Sequence, residues 1–241
     1  MKTLGILGGM GPLATTDFMR QVLKSTYATR DQEHIPMVVE NNTKIPDRTA
    51  ALIHEGESPI REMIRSAIRL EAMGADFIAM PCNTAHGFYE DVQAFVDIPV
   101  LHMIQETVGV LLQEDPDRKT YGLLATTGTY ETGLYQNAFQ EAGLELVLPD
   151  PIDQQLIMDL IYDLKAGVVS SRAKVEGIVH RMTAQDPNMP LILGCTELPV
   201  IMETLQVDHV FVNPTEILAK ACVRMAQGQM VADRAVSDPV A

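Results

Sequence analysis

The chain has 241 residues, of which 46% are hydrophobic and 21% charged, and its formal net charge is −14. This composition is typical of a globular protein with one large or two small cores, and the acidic balance argues against nucleic acid as a partner. No run of about 18 apolar residues predicts a membrane span, and three widely spaced cysteines predict free thiols in a reducing cytoplasm rather than a disulfide framework.

Strands and helices alternate through the first half of the chain. The first apolar run, Thr3–Leu7, begins too early for a secretory signal to precede it, and a glycine turn and a helix from about Leu13 follow. A helix is predicted over Ile60–Met73, because apolar residues recur there at helical spacing up to Gly74. The other predicted elements of this half are strands at Met37–Glu40, Phe77–Met80 and Val100–His102 and a helix from about Ala85.

The second half repeats this plan, with predicted strands at Tyr121–Ala125 and Leu191–Gly194 and helices near Glu131–Ala142, Pro151–Ala166, Arg172–Thr183 and Pro214–Met225. Strand–helix alternation favours parallel sheets. We therefore predict an α/β fold of two similar lobes, each a mostly parallel sheet flanked by helices, with a cleft between them. Residues 1–100 and 210–241 are assigned to the first lobe and 101–209 to the second, and the polar tail, Ala232–Ala241, is expected to fray.

Two cysteines, Cys82 and Cys195, occupy matching places in the two halves. Each follows a buried strand, at the end of a parallel sheet where ligands bind. Each precedes residues suited to capping a helix (Asn83 and Thr84, and Thr196), so a helix N-terminus is expected to lower the pKa of both thiols. Buried structural thiols are the alternative.

Opposed thiols suit the racemisation of an amino acid. A thiolate on one face can remove the α-proton while a thiol on the other face returns one. Without a cofactor, the carbanion-like intermediate then needs placed amides and cations around it.

Five stretches, which together extend over the whole chain, resemble the aspartate/glutamate racemase family and most closely its aspartate racemases: Leu4–Pro12, Ile45–Thr49, Met80–His86, Leu124–Thr129 and Gly194–Glu197. The resemblance implies two lobes related by a pseudo-twofold axis and assembled as a homodimer. It implies no pyridoxal phosphate or other cofactor and no metal, and it makes Cys82 and Cys195 the acid/base pair.

The resemblance also implies substrate-binding residues. Arg48 and Lys165 are the two cations, which could grip the two carboxylates of aspartate; a lysine at a helix C-terminus is otherwise expected for the helix dipole alone. Residues predicted to donate hydrogen bonds to the substrate or to line its pocket are Met10, Asn83, Thr84, Thr126, Thr196 and Glu197.

The predicted substrate depends on positions at which this chain differs from related racemases. Glutamate racemases carry an acidic residue in the first glycine turn and a histidine two residues after the second cysteine, where this chain has Gly8–Gly11 and Glu197. A branch of broader specificity has threonine in place of the first cysteine. These differences favour aspartate. The alternatives are a glutamate or broad-specificity racemase, an isomerase or decarboxylase of a dicarboxylate, and a non-catalytic amino-acid-binding protein.

Two local patterns suggest other chemistry. His86, four residues after Cys82, could form half of a zinc site, although a helix histidine with satisfied nitrogens is the simpler interpretation. The GxGxxA pattern of Gly9–Ala14 matches a dinucleotide fingerprint, with Asp31 or Glu33 near the position of its acidic residue. That acid should end a second strand, whereas Arg30–His34 is a polar run before Met37, so this alternative is the weakest.

Overall fold

The computed structural model describes residues 1–168 and 171–228. The predicted frayed tail, Ala232–Ala241, lies outside these residues. Two four-stranded sheets, all parallel, form the centres of two lobes. The strands of the first sheet are β1 (Leu4–Gly8), β2 (Met37–Asn41), β3 (Phe77–Ala79) and β4 (Val100–Leu101), and those of the second are β5 (Thr120–Ala125), β6 (Glu145–Val147), β7 (Leu191–Gly194) and β8 (Phe211–Val212).

The two sheets have the same spatial order, β2-β1-β3-β4 and β6-β5-β7-β8. This equivalence confirms the predicted two-lobed α/β class. The strands β1 and β7 are buried along their whole length, because helices cover both faces of each sheet, and buried parallel strands read as apolar runs for that reason.

Helices of the first half are α1 (Pro12–Ser25), α2 (Arg48–Leu52), α3 (Ile60–Ala72), α4 (Tyr89–Gln93) and α5 (Met103–Glu114). Helices of the second half are α6 (Thr127–Glu131), α7 (Leu134–Glu141), α8 (Pro151–Lys165), α9 (Arg172–Met182), α10 (Glu197–Leu205) and α11 (Pro214–Ala226). No helix of the described ranges is long and apolar enough to span a bilayer.

The last helix returns to the first lobe. Leu218 and Cys222 of α11 share a core cluster with Phe18 of α1 and Leu4 of β1, and the Lys2 amide donates to the carbonyl of the last residue of α11. Strand β8 pairs with β7 in the second sheet. We therefore propose that the returning segment begins at α11 and not at residue 210, where the predicted boundary falls.

Two predicted helices differ in form. The helix expected from about Ala85 is a 3₁₀ turn, Thr84–Phe88, followed by the short α4. Leu52 of α2 packs closely against Gly87, because a Cβ added to this glycine would lie 2.9 Å from the Leu52 side chain. The helix predicted at Glu131–Ala142 begins later, as α7 at Leu134, because Gly133 adopts a left-handed conformation, with φ 65°, between it and α6.

Candidate active site

A small cavity lies between the lobes, where the segments after β1, β2, β3, β5 and β7 meet the end of α8. It collects all ten predicted site residues and two that sequence reasoning missed, Asp47 and Thr49, the neighbours of Arg48 in the chain. The lining residues are Met10, Asp47, Arg48, Thr49, Cys82, Asn83, Thr84, Thr126, Lys165, Cys195, Thr196 and Glu197. Its volume is only about 10 Å³, room for about one water molecule, so this conformation is closed.

Close packing of α2 against α6 contributes to the closure. A Cβ added to Gly128 would lie 3.0 Å from the Thr49 Cα. At the opening, the Tyr162 hydroxyl donates to the Asp47 carboxylate at 3.0 Å. Burial opposes ionisation of Asp47, but the Ala50 amide, Arg48 and the Tyr162 hydroxyl together lower its pKa. The lobes therefore meet through direct contacts at the edge of the cavity.

Cys195 follows β7 and faces a carboxylate. Its Sγ donates to Glu197 Oε2 at 3.0 Å, and the Thr196 hydroxyl donates to the same oxygen at 3.1 Å. Burial, followed by the charge of Glu197, raises the Cys195 pKa well above its usual value, and the opposing charge of Lys165 does not compensate. The predicted lowering of this pKa by a helix N-terminus is therefore wrong, because burial and the neighbouring carboxylate dominate.

Cys82 follows β3, and its backbone is held by a histidine. The Met103 amide donates to His86 Nε2 at 3.0 Å, so the ring proton lies on Nδ1, which donates to the Cys82 carbonyl at 2.9 Å. Burial lowers the pKa of His86 and keeps the ring neutral. Both nitrogens are occupied, and the described residues contain no cluster of three potential metal-ligating side chains; the zinc hypothesis for His86 is wrong.

Neither cysteine precedes a helix capped by a side chain. Asn83 and Thr196 adopt helical backbone angles themselves and make no capping hydrogen bond. The predicted capping role of these two residues is therefore wrong, and their side chains are left to line the cavity.

Arg48 is a buried cation that binds neutral groups. Its guanidinium donates to the carbonyls of Met10 and Pro46, both at 3.0 Å, and its Nε is buried without a hydrogen-bond partner. Within the described residues, its hydrogen-bond partners are carbonyls, and the Asp47 carboxylate interacts with its charge without a direct ion pair. An anionic ligand in the cavity would therefore gain a direct ion pair with the guanidinium.

Lys165, the last residue of α8, lies 5.1 Å above the ring of Tyr162 and also lines the cavity. Burial disfavours its charge, but the negative charge of Glu197, joined by that of Cys195 or Cys82 when either is a thiolate, outweighs burial and raises its pKa. The ammonium is therefore charged at neutral pH, which gives the cavity a second cation beside Arg48.

Hydroxyls connect the two lobes behind the cysteines. Thr84 lies 2.9 Å from Thr126 and 3.2 Å from Thr129, and the latter two are 3.0 Å apart, measured between their Oγ1 atoms. Nearby, the Tyr135 hydroxyl donates to Asn83 Oδ1 at 2.6 Å. Sequence patterns gave no sign of Tyr135, because its contact joins residues from different halves of the chain.

The glycine turn after β1 does not match a dinucleotide site. The Gly9 amide donates to the Thr15 hydroxyl at 2.9 Å and is not free for a phosphate. Asp31 and Glu33 lie in a 3₁₀ turn before β2 and not at the end of a strand. The dinucleotide alternative is therefore wrong, since the Gly9 amide is engaged by Thr15 and neither candidate acid ends a strand.

The chain is similar to known proteins in sequence and in fold. Residues 7–222 match the pattern of the Asp/Glu/Hydantoin racemase family. A Picrophilus torridus aspartate racemase structure is similar with a TM-score of 0.82 and 32% identity, over 94% of this chain and 95% of that one.

Two further relatives extend the comparison. The broad specificity amino-acid racemase RacX of Bacillus subtilis is 28% identical over 224 residues, 91% of this chain and 96% of that protein. A glutamate racemase structure from Francisella tularensis, solved with D-glutamate, has a TM-score of 0.67 at 18% identity over 97% of this chain and 84% of that one, a likeness of fold alone.

Proposed function

Because the chain belongs to the Asp/Glu/Hydantoin racemase family, we propose that it interconverts L- and D-aspartate. The similar proteins named above are amino-acid racemases, and the activity is independent of pyridoxal phosphate. The observation that carries the proposal is that Cys82 and Cys195, delivered by equivalent strands of the two lobes, line one cavity that also holds two cations.

The two thiols act as a base and an acid on opposite faces of the α-carbon. Cys195 is a thiol that donates to Glu197 in the closed site, and its raised pKa keeps it protonated. Cys82 then serves as the thiolate that removes the α-proton, while Cys195 supplies the proton to the other face. The roles reverse for the other enantiomer, when Cys195 is the thiolate.

Glu197 has two effects on that cycle. Its carboxylate accepts the Cys195 proton in a hydrogen bond and so orients the thiol within the cavity. Its negative charge also makes the Cys195 thiolate a stronger base once the proton has left. Lys165 limits this effect, because its ammonium favours the thiolate.

The two cations of the cavity suit a substrate that carries two carboxylates. Arg48 has a buried Nε without a partner, and Lys165 is charged close to both cysteines. Each would neutralise one carboxylate of aspartate, and together they stabilise the negative charge that spreads from the α-carbon into the α-carboxylate in the transition state. Asn83 and the hydroxyls of Thr84 and Thr126 line the same cavity and add donors.

Two features of this sequence favour aspartate over the alternative substrates. Glu197 stands where the glutamate racemases carry histidine, and both cysteines are present. The relatives named as glutamate and broad-specificity racemases make those substrates the alternatives. Entry of any amino acid requires the closed cavity to open, and parting of the lobes would break the contact of Tyr162 with Asp47.

The test is exchange of the α-proton of aspartate in heavy water, followed by NMR. Cys82→Ser and Cys195→Ser should each lose exchange or racemisation, while Cys222→Ser, at a buried cysteine of α11 outside the cavity, should retain both. Wild-type exchange in either site variant would refute the two-thiol mechanism.

A substrate panel separates the rivals. Chiral chromatography with aspartate, glutamate, alanine and maleate should show turnover of aspartate above the others. A protein that aspartate stabilises thermally without any α-proton exchange would be a binding protein and would refute the enzymatic proposal. The family resemblance also predicts a cytoplasmic homodimer, which light scattering of the purified protein and fractionation of the source cells test.

A further inference from the structure

We propose that Tyr135 is a positioning residue that decides which end of the Asn83 amide meets the substrate. Tyr135 lies on α7 of the second lobe, is fully buried and does not line the cavity. Asn83 lines the cavity from the first lobe, directly after Cys82. The inference rests on the proposed function only in that the bound molecule presents a carboxylate.

The hydrogen bond between these residues has a defined direction. The Tyr135 hydroxyl and Asn83 Oδ1 are 2.6 Å apart, a separation typical of an O–H···O bond and shorter than the usual range for N–H···O. Burial raises the pKa of Tyr135, so its hydroxyl keeps the proton that it donates. The amide oxygen of Asn83 is therefore the end that faces Tyr135.

This direction leaves the other end of the amide for a ligand. Asn83 is 1% exposed, and its Nδ2 is buried without a hydrogen-bond partner among the described residues. An amide nitrogen can only donate, and a carboxylate oxygen can only accept. Asn83 therefore presents to the cavity a donor that suits a carboxylate, beside the thiol that exchanges the α-proton.

Without the Tyr135 hydroxyl, the amide could rotate. The two ends of an asparagine amide have nearly the same shape, so only hydrogen bonds determine its orientation. A reversed amide would direct its oxygen at the substrate carboxylate, and two acceptors repel each other. Tyr135 would then act on substrate binding through Asn83, although it touches neither the substrate nor the cysteines.

The alternative is that this hydrogen bond only fastens one lobe to the other. Loss of a bond that only joins the lobes would lower the free energy of unfolding without raising KM. Loss of an orienting contact would raise KM, and only while the Asn83 amide is present. A double-mutant cycle measured in KM therefore distinguishes the two roles.

The experiment compares wild type, Tyr135→Phe, Asn83→Ala and the double variant in steady-state racemisation of the amino acid that wild type turns over best. Tyr135→Phe should raise KM about tenfold, equal to about 1.4 kcal/mol, which is the scale of one hydrogen bond, and should change kcat less. In the Asn83→Ala background the same substitution should leave KM unchanged. The control is Tyr121→Phe, at a buried tyrosine of β5 whose hydroxyl has no partner in the described part of the chain; it should alter no kinetic constant.

An equal rise of KM in both backgrounds, or no rise with Asn83 present, would overturn the proposal. Calorimetric titration with succinate repeats the cycle without turnover, and there too Tyr135→Phe should weaken binding about tenfold only when Asn83 is present. If wild type racemises no amino acid, the proposed function fails, and the succinate cycle still decides the role of Tyr135. If wild type binds no dicarboxylate, the positioning role fails as well.

Discussion

Replacing Glu197 with glutamine should lower the pKa of Cys195. Glutamine keeps the size and one acceptor oxygen of the side chain, but it removes the charge that lies against Cys195 Sγ, where the contact is 3.0 Å. A hydrogen bond to a charged group contributes about 1.5–3 kcal/mol. At about 1.4 kcal/mol per pKa unit, its loss corresponds to a decrease of about one to two units. Lys165, which favours the thiolate, stays in place and acts in the same direction.

The assay is the pH dependence of Cys195 alkylation by iodoacetamide, with the modified residue identified by mass spectrometry. Both Glu197→Gln and its reference carry Cys82→Ser, so that Cys195 is the reacting thiol of the cavity. The midpoint of the rate profile reports the pKa independently of how easily the reagent enters. Glu203→Gln, at an exposed position of the same helix, is the matched control and should leave the midpoint unchanged. A midpoint in Glu197→Gln that equals or exceeds that of the reference would refute the argument.

Two further predictions concern stability. Gly9→Ala should destabilise the fold by on the order of 1–3 kcal/mol, because φ is 97° there and the new Cβ would lie 2.3 Å from the Asn42 carbonyl; urea denaturation measures the loss, and an unchanged midpoint would contradict the backbone argument. Burial, with a smaller effect of His86, lowers the pKa of His102 to about 3, so the unfolded chain binds this proton first and stability should fall as the pH drops from about 6.5 towards 3. His102→Gln should flatten that decrease in melting temperature, and an identical slope in the variant would contradict the assignment.

Much of the fold follows from the sequence because the central strands are buried on both faces. The run Leu191–Gly194 had to be apolar to lie between helices, and its predicted bounds equal those of β7. The edge strands of the second sheet carried no such signal. β6 has three residues and β8 two, and none of the five is fully buried, so neither strand was distinguishable from a loop.

The convergence of three turns at the site was predictable for a different reason. Loops after parallel strands meet at one end of a sheet, so turns that carry Cys82, Thr126 and Cys195 were bound to converge once the two halves were seen as equivalent. Side-chain contacts within the site were not predictable. Glu197 acts on the Cys195 sulfur and Tyr135 on the Asn83 amide through directions that only the folded chain defines.

The environment of the thiols shows the limit of reasoning from local patterns. A cysteine before a predicted helix suggested a lowered pKa, yet burial and one carboxylate raise it at Cys195. Local sequence indicates where a helix begins. The balance between burial and neighbouring charges depends on residues brought together by folding.

The most direct test of the two-thiol account is the isotopic composition of both enantiomers early in the racemisation of L-aspartate in heavy water. If separate thiols remove and return the proton, the D-aspartate formed should carry deuterium at the α-carbon, while the L-aspartate that remains should still carry protium. Deuterium appearing equally in both enantiomers, or protium retained in the D-aspartate, would contradict the account.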